Sequence, residues 1–233
     1  MNAVLVGFKR SPFTIANKGL LSKIRPEDIL SQVINDLVKT TNINKDDIED
    51  IIAGCAYPEG AQGYNIAKIV SFMTDMPEHV GGMTINRWCG SSMQAIHNGV
   101  GNIMMNAGKV FICCGIESMS FVPINGLNYS PHPELLKNQP DVYLSMGLTA
   151  ENVAKKFNIV CYRGHKLNVK GRVLAAAKKN KVDHIIKIWG DSPLIDYKII
   201  NKALKKYLIK MPDVLTTNKI QRLPEGMDFH IYS

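Results

Sequence analysis

Residues 81–120 place two short apolar runs on either side of one amphipathic stretch, and that order restricts the chain to strand–helix–strand packing. The segment reads GGMTINRWCGSSMQAIHNGVGNIMMNAGKVFICCGIESMS. Met83-Thr84-Ile85 is apolar and β-branched and leads through Asn86-Arg87-Trp88 to Cys89. Gly90-Ser91-Ser92 reads as a small-residue turn. Met93, Ile96, Val100, Ile103 and Met104 then recur at spacings of three and four, which predicts a helix. Gly108 is its expected closing residue. Val110 to Cys114 has the pattern of a buried strand.

The same alternation extends toward the N-terminus. Residues 3–8, AVLVGF, read as a first strand. Pro26-Glu27-Asp28 open a helix, with proline and acids in its first turn. Its apolar positions are Ile29, Leu30, Val33, Ile34, Leu37 and Val38. After a polar start at residues 44–47, Ile48, Ile51 and Ile52 lead as a strand to Gly54-Cys55, and residues 65–73 read as a short helix. Alternating strands and helices argue for an α/β fold layered around a largely parallel or mixed sheet.

Cys89 stands where a strand ends and a helix begins. Unpaired N–H groups and the positive end of the helix dipole favour a thiolate there, which is a nucleophile suited to an acyl carbonyl. An arbitrary free cysteine is more often a buried packing residue. The strand–Cys–small–small–helix context is what points to chemistry.

Several motifs in order carry a resemblance. Asn86-Arg87-Trp88-Cys89-Gly90-Ser91-Ser92-Met93-Gln94-Ala95-Ile96 resembles the acyl-cysteine motif of the thiolases, and Gly115-Ile116-Glu117-Ser118-Met119-Ser120 resembles their second N-terminal signature. Arg10-Ser11-Pro12-Phe13, Gly54-Cys55, the stretch Glu59 to Ala67, and Met146 to Ala154 match further family stretches. The resemblance spans Met1 to about Asn158. It implies half of a thiolase-type layered α/β/α fold with the start of the loop domain that receives coenzyme A. It implies Cys89 as the acyl carrier of an acetyl-CoA acetyltransferase-type enzyme and Met146 as a wall of the acyl pocket. The coenzyme A thioester is then a substrate, and no separate cofactor or metal is implied. The family has glycine where this chain has Ser92 and Cys114, and often histidine or asparagine at Ser145. The later motifs that supply a histidine, a second cysteine and a water-positioning asparagine are not found in residues 90–233. These residues alone are therefore expected to be truncated relative to the family and weakly active.

The formal charge of +8 is unevenly placed. Residues 1–158 hold 13 Lys and Arg against 14 Asp and Glu, whereas residues 159–233 hold 15 against 6. A shift that abrupt suggests segments of different role. The expected domains are a core over 1–119, the start of the loop domain over 120–158, and a small basic α/β segment over 159–233. Within the last, Ile159 to Cys161 read as a short strand. A helix follows from an Asn168 cap to Asn180, then a strand over His184 to Trp189, a helix over Tyr197 to Leu208, and a short strand at Val214-Leu215. Arg163-Gly164, Asn168-Val169, Arg172 to Ala177, Gly190 to Asp196 and Pro224 to Asp228 resemble the middle of a spore-coat-type cytidylyltransferase. That resemblance places Asp191 and Asp228 where the family has magnesium-binding carboxylates. Aspartate is also a common turn residue, and the nucleotide-binding motif of that family is absent.

No apolar run approaches the roughly 18 residues that span a bilayer, and no secretory leader is evident. Five cysteines without framework spacing fit a reducing, cytoplasmic setting. Cys113 and Cys114 should point to opposite faces of one strand. A homo-oligomer, or a partner chain supplying the remaining half, is expected to cover the apolar face of a half-fold. The lysines Lys170, Lys178, Lys179 and Lys181 give only a weak signal for nucleic acid, because no stacking aromatic pattern accompanies them. The alternatives are a non-catalytic fusion of two domain fragments, or a remnant cytidylyltransferase activity in the tail.

Overall fold

The computed structural model describes residues 3–165, 168–190, 192, 195–217 and 229–233. The chain divides into two compact units, Met1–Glu134 and Leu135–Ser233.

In the first unit, helix α1 spans Pro26–Thr41. It buries Leu30, Ile34 and Val38, which recur every four residues and line one face. A single 3-10 turn follows at Lys45–Asp47, where the Asn44 side chain accepts from the Asp46 N–H. Strand β1 is Ile48–Gly54, α2 is Ile66–Met73 and β2 is Gly81–Ile85. Helix α3 is Ser91–Met104 and β3 is Val110–Gly115. The three strands are parallel in the order β2-β1-β3, with Asp50 beside Gly81 and Ile52 beside both Met83 and Cys113. β1 is central, and its stretch from Ile51 to Gly54, buried between the two faces, is continuously apolar.

The sheet is sandwiched. Ile51 and Ala53 of β1 and Ile112 of β3 pack with α1 and α2 in one core cluster, joined by Cys114. Cys113 faces the other way, toward α3, where a Cβ on Gly99 would lie 2.6 Å from its sulfur. The first unit is thus a mixed α/β layering around a parallel sheet.

α3 packs unlike the other helices. Its buried residues are Ser91, Ala95 and Gly99, a small-residue row at a spacing of four. The larger apolar residues Met93, Ile96, Val100 and Met104 are exposed. The cause is the close approach of helix to sheet. A Cβ on Gly54 would run into the backbone of Ser91 and Ser92, and one on Gly115 would run into the Ser92 side chain. Only small residues fit between, so the bulky stripe turns outward.

Two local expectations are corrected in this unit. Residues 3–8 form no strand, and Val4, Leu5, Val6 and Phe8 are exposed. β1 already pairs on both sides, and the segment lies instead along α1, with Gly7 against Thr41 and Lys9 paired to Asp36 at 2.7 Å. Gly108 does not close α3. The helix ends at Met104, and Asn106 takes the left-handed conformation, with φ 59°. The Asn106 N–H bonds the Ile103 carbonyl and the Ala107 N–H bonds that of Asn102, which completes a Schellman cap.

The segment 120–143 contains a short helix α4 at Pro133–Asn138 and a 3-10 turn at Pro140–Tyr143. In the second unit α5 runs from Met146 to Lys156. The Ser145 side chain sets that start by accepting from the Leu148 N–H. Residues 159–161 form no strand. Arg163 just beyond grips Glu151 of α5 through two bonds of 2.7 Å, which holds the segment against the helix and keeps that carboxyl below its usual range.

Helix α6 is Val169–Asn180, capped by Asn168, and it buries none of its residues. Strand β4 is Ile185–Ile188, α7 is Tyr197–Lys210 and β5 is Val214–Thr216. Strand β6, Phe229–Tyr232, was not foreseen. It lies at the centre of an antiparallel sheet in the order β4-β6-β5. Tyr207 of α7 packs with Phe229 and Ile231 of β6 to make the core of this sheet. Asp191 and the segment Pro224 to Asp228 lie outside the described residues.

Candidate functional site

β2 delivers the chain to Asn86, and the turn 86–90 hands it on to α3. Cys89 is a free, exposed thiol, one residue before the Gly90 N-cap and two before the first helical residue. The turn is closed from within. The Gly90 N–H bonds the Arg87 carbonyl at 3.0 Å and the Ser91 N–H bonds that of Trp88 at 3.1 Å. The Ser91 hydroxyl accepts from the Arg87 N–H at 2.8 Å and donates to the Trp88 carbonyl at 2.6 Å. The Arg87 guanidinium reaches along α3 to the Gln94 side-chain oxygen at 2.7 Å. Trp88 itself sits at φ +49°, a left-handed conformation that is costly for a bulky residue and persists only where its surroundings impose it.

A second layer lies against this turn. The Glu117 carboxylate, just after β3, accepts from the Ala56 N–H at 2.7 Å and from the Gln62 side-chain amide at 2.8 Å. Gln62 is fully buried, also donates to the Tyr57 carbonyl at 2.8 Å, and its oxygen accepts from the Ser118 N–H. The Asn86 side chain joins the two layers: its Nδ2 donates to the Ala56 carbonyl at 2.9 Å and its Oδ1 accepts from the Trp88 N–H at 2.9 Å. The Tyr57 and Trp88 rings meet edge to face, with centroids 5.3 Å apart. The sequence motifs carried Glu117, Gln62 and Asn86, but not their contacts, which bridge up to 61 residues along the chain.

Of the five cysteines, Cys55 is buried beneath this layer, and burial, with the Glu117 charge nearby, pushes its thiol up to about 12. Burial does the same to Cys114 and, in direction, to Cys113. Cys89 and Cys161 are exposed. Iodoacetamide on the folded protein at neutral pH is expected to label Cys89 and Cys161, and to reach Cys55, Cys113 and Cys114 only after denaturation. Peptide mass mapping reads this directly. Native labelling of Cys55 at the rate of Cys89 would contradict the buried assignment.

Met146 is the first residue of α5 and is 76% exposed, in the second unit. Two surface clefts of the first unit are lined by the end of α1 with residues 42–46 and 75–77, and by residues 5–8 with α1; neither includes a residue of the turn 86–90. Among the described residues no group of His, Cys, Asp or Glu is placed to hold a metal ion, and no helix is long and apolar enough to cross a membrane.

The first unit is a parallel α/β sandwich with an exposed cysteine at a strand-to-helix turn. The family model described as thiolase, N-terminal domain, matches residues 3–187, and the chain belongs to the thiolase family. The match runs beyond Asn158, where the motif resemblance was expected to stop. A 3-ketoacyl-CoA thiolase of Bacillus subtilis is 38% identical over 157 residues, 67% of this chain and 40% of that protein. A 3-ketoacyl-CoA thiolase of Shewanella frigidimarina is 34% identical over 190 residues, 81% of this chain and 49% of that protein. Human mitochondrial 3-ketoacyl-CoA thiolase, solved in complex with CoA, aligns with TM-score 0.51 and 26% identity over 62% of this chain and 40% of that one. The dimeric peroxisomal thiolase of Saccharomyces cerevisiae shares the fold with TM-score 0.59 at 24% identity, over 68% of this chain and 42% of that one. The chain thus spans less than half the length of these relatives. A cytidylyltransferase family model matches residues 149–227 and overlaps the thiolase match.

Proposed function

We propose that this chain carries an acyl group on Cys89 as a thiolase-type acyl-CoA C-acyltransferase of the acetyl-CoA acetyltransferase kind. The observation that carries this reading is the exposed Cys89 at the positive end of α3, inside a turn whose backbone is bonded on both sides. The thiolate attacks the thioester carbonyl, the carbon–sulfur bond of coenzyme A breaks, and the coenzyme leaves as thiolate and takes a proton from solvent while the acyl group stays on sulfur. Met146 is proposed as a wall of the acyl pocket, and coenzyme A enters as substrate. A homo-oligomer or a partner chain completes the site, in a cytoplasmic setting. The loop domain begins at residue 120 and the basic segment at 159.

Residues 1–233 include no Gly-His-Pro or Cys-x-Gly-Gly-Gly motif. A general acid–base partner contributes roughly a hundred- to ten-thousand-fold, and oxyanion donors about a hundredfold or more. These residues alone should therefore take up acyl groups slowly and turn over carbon–carbon bonds scarcely at all. Incubation with acetyl-CoA is expected to add one acetyl mass at Cys89, and none in Cys89→Ala. An unmodified Cys89 at millimolar acetyl-CoA would sink the acyl-carrier reading.

The cytidylyltransferase match favours a second reading, a remnant nucleotidyltransferase segment over 149–227. Protection of that segment from proteolysis by CTP and magnesium would support it; unchanged cleavage would dismiss it.

A further inference from the structure

We propose that Asn86 is a positioning residue for Cys89, acting through the main chain of Trp88; this rests on the acyl-carrier reading above. The turn that holds the cysteine has two anchorages. Toward α3 it is tied by Ser91, which bonds both Arg87 and Trp88. Away from α3, the Asn86 side chain joins it by hydrogen bonds to the segment 55–57.

The two partners of Asn86 differ in kind, and that fixes its direction. Its oxygen takes the Trp88 N–H and its nitrogen serves the Ala56 carbonyl; turning the amide over would set donor against donor and acceptor against acceptor. Ala56 is immobilised in turn. Its N–H is on Glu117, whose other oxygen is held by the buried Gln62, and Gln62 is closed onto the Ser118 N–H and the Tyr57 carbonyl. The network therefore runs from the end of β3 through Glu117, Ala56 and Asn86 to the Trp88 N–H, one residue before Cys89. Its last link bears on the strained residue, Trp88 at φ +49°. Releasing the Trp88 N–H lets that residue relax toward negative φ, and the rotation swings Cys89 away from the start of α3.

Nucleophilic attack on a thioester needs the sulfur and carbonyl aligned, and a misplacement of about 1 Å costs on the order of a hundredfold. Alkylation by a small reagent needs only an exposed thiolate. The test compares the two rates at Cys89 in the full chain: acetylation by S-acetyl-N-acetylcysteamine and alkylation by iodoacetamide, from pH 6 to 10, each read by peptide mass spectrometry. In Asn86→Ala the ratio of acetylation to alkylation is expected to fall about tenfold or more. Asn86→Asp keeps an oxygen for the Trp88 N–H but turns its second oxygen on the Ala56 carbonyl, so its ratio should fall as well, by a smaller factor than that of Asn86→Ala.

A ratio unchanged in Asn86→Ala overturns the positioning role. So does a parallel loss of both rates with a lowered melting temperature, which marks a merely structural role, and so does an Asn86→Asp ratio as low as that of Asn86→Ala. If the unaltered chain is alkylated at Cys89 but never acetylated, it is the acyl-carrier reading that fails, and the positioning role falls with it.

Discussion

Gly54→Ala is expected to destabilise the first unit by about 3 kcal/mol or more, and to lower its melting temperature by about 10 °C. Gly54 is the last residue of β1 and lies beneath the first turn of α3. An added Cβ there meets the backbone of Ser91 and Ser92, not the end of a flexible side chain. Backbone at a helix start yields only if the helix moves, so the overpacking cost belongs at the upper end of its range. The displaced start carries Cys89 with it, and acetylation should fall about a hundredfold. Gly101→Ala is the matched comparison. It lies in the same helix with nothing within 4 Å of an added Cβ, and gaining alanine in a helix interior should stabilise by up to about 1 kcal/mol. Thermal unfolding of the two variants reads both signs. A Gly54→Ala protein melting within two or so degrees of the original would contradict the close approach of α3 to the sheet.

The second large effect is loss of stability at alkaline pH. Burial raises the thiols of Cys55 and Cys114 to about 12 in the folded chain, from 9.0 for an ordinary thiol. Between these values the folded chain keeps protons that the unfolded chain has released. The stability linked to these thiols is therefore whole below pH 9 and is lost as pH rises toward 12. Each thiol contributes on the order of 1 kcal/mol per pH unit in that window. By pH 11 the combined loss is about 4 kcal/mol, a large part of the roughly 5–15 kcal/mol that keeps a domain folded. Urea midpoints at pH 8, 9, 10 and 11 should fall steeply, and the fall should be shallower in the Cys55→Ala, Cys114→Ala double variant. Equal slopes in the two proteins would show that other groups govern the alkaline limit.

Much of the fold was legible because it is written in local periodicity. α1, β1, α2, β2, α3 and β3 all appear where apolar spacing placed them, within a few residues. The errors share a cause. Residues 3–8 have strand composition, but a strand exists only where an edge accepts it, and edge pairing is not a local property. The same holds for residues 159–161, and in the opposite sense for β6, whose short run Phe229 to Tyr232 gains strand character from β4 and β5 on either side. Gly108 lost the closing role to Asn106, a competition between two residues able to adopt positive φ that spacing alone does not decide.

For the site, Cys89 was readable from its context, and the structure places it on an exposed turn before α3. The network of Gln62, Glu117, Ala56 and Asn86 was not readable, because the bonds that join these four residues cross between segments 30 to 61 residues apart. Ser92 illustrates the limit well. The family resemblance marked it as a departure from glycine, and only the structure shows that the space it fills is the one left by Gly115.

α3 keeps its two obligations on opposite sides of one cylinder. Ser91, Ala95 and Gly99 fix where the cysteine stands, while Met93, Ile96, Val100 and Met104 meet whatever surrounds the fold. Substitutions on the outer row therefore leave the seat of the nucleophile untouched. A lineage, or an engineer, is free to rewrite which surfaces this helix recognises without renegotiating the chemistry at its tip.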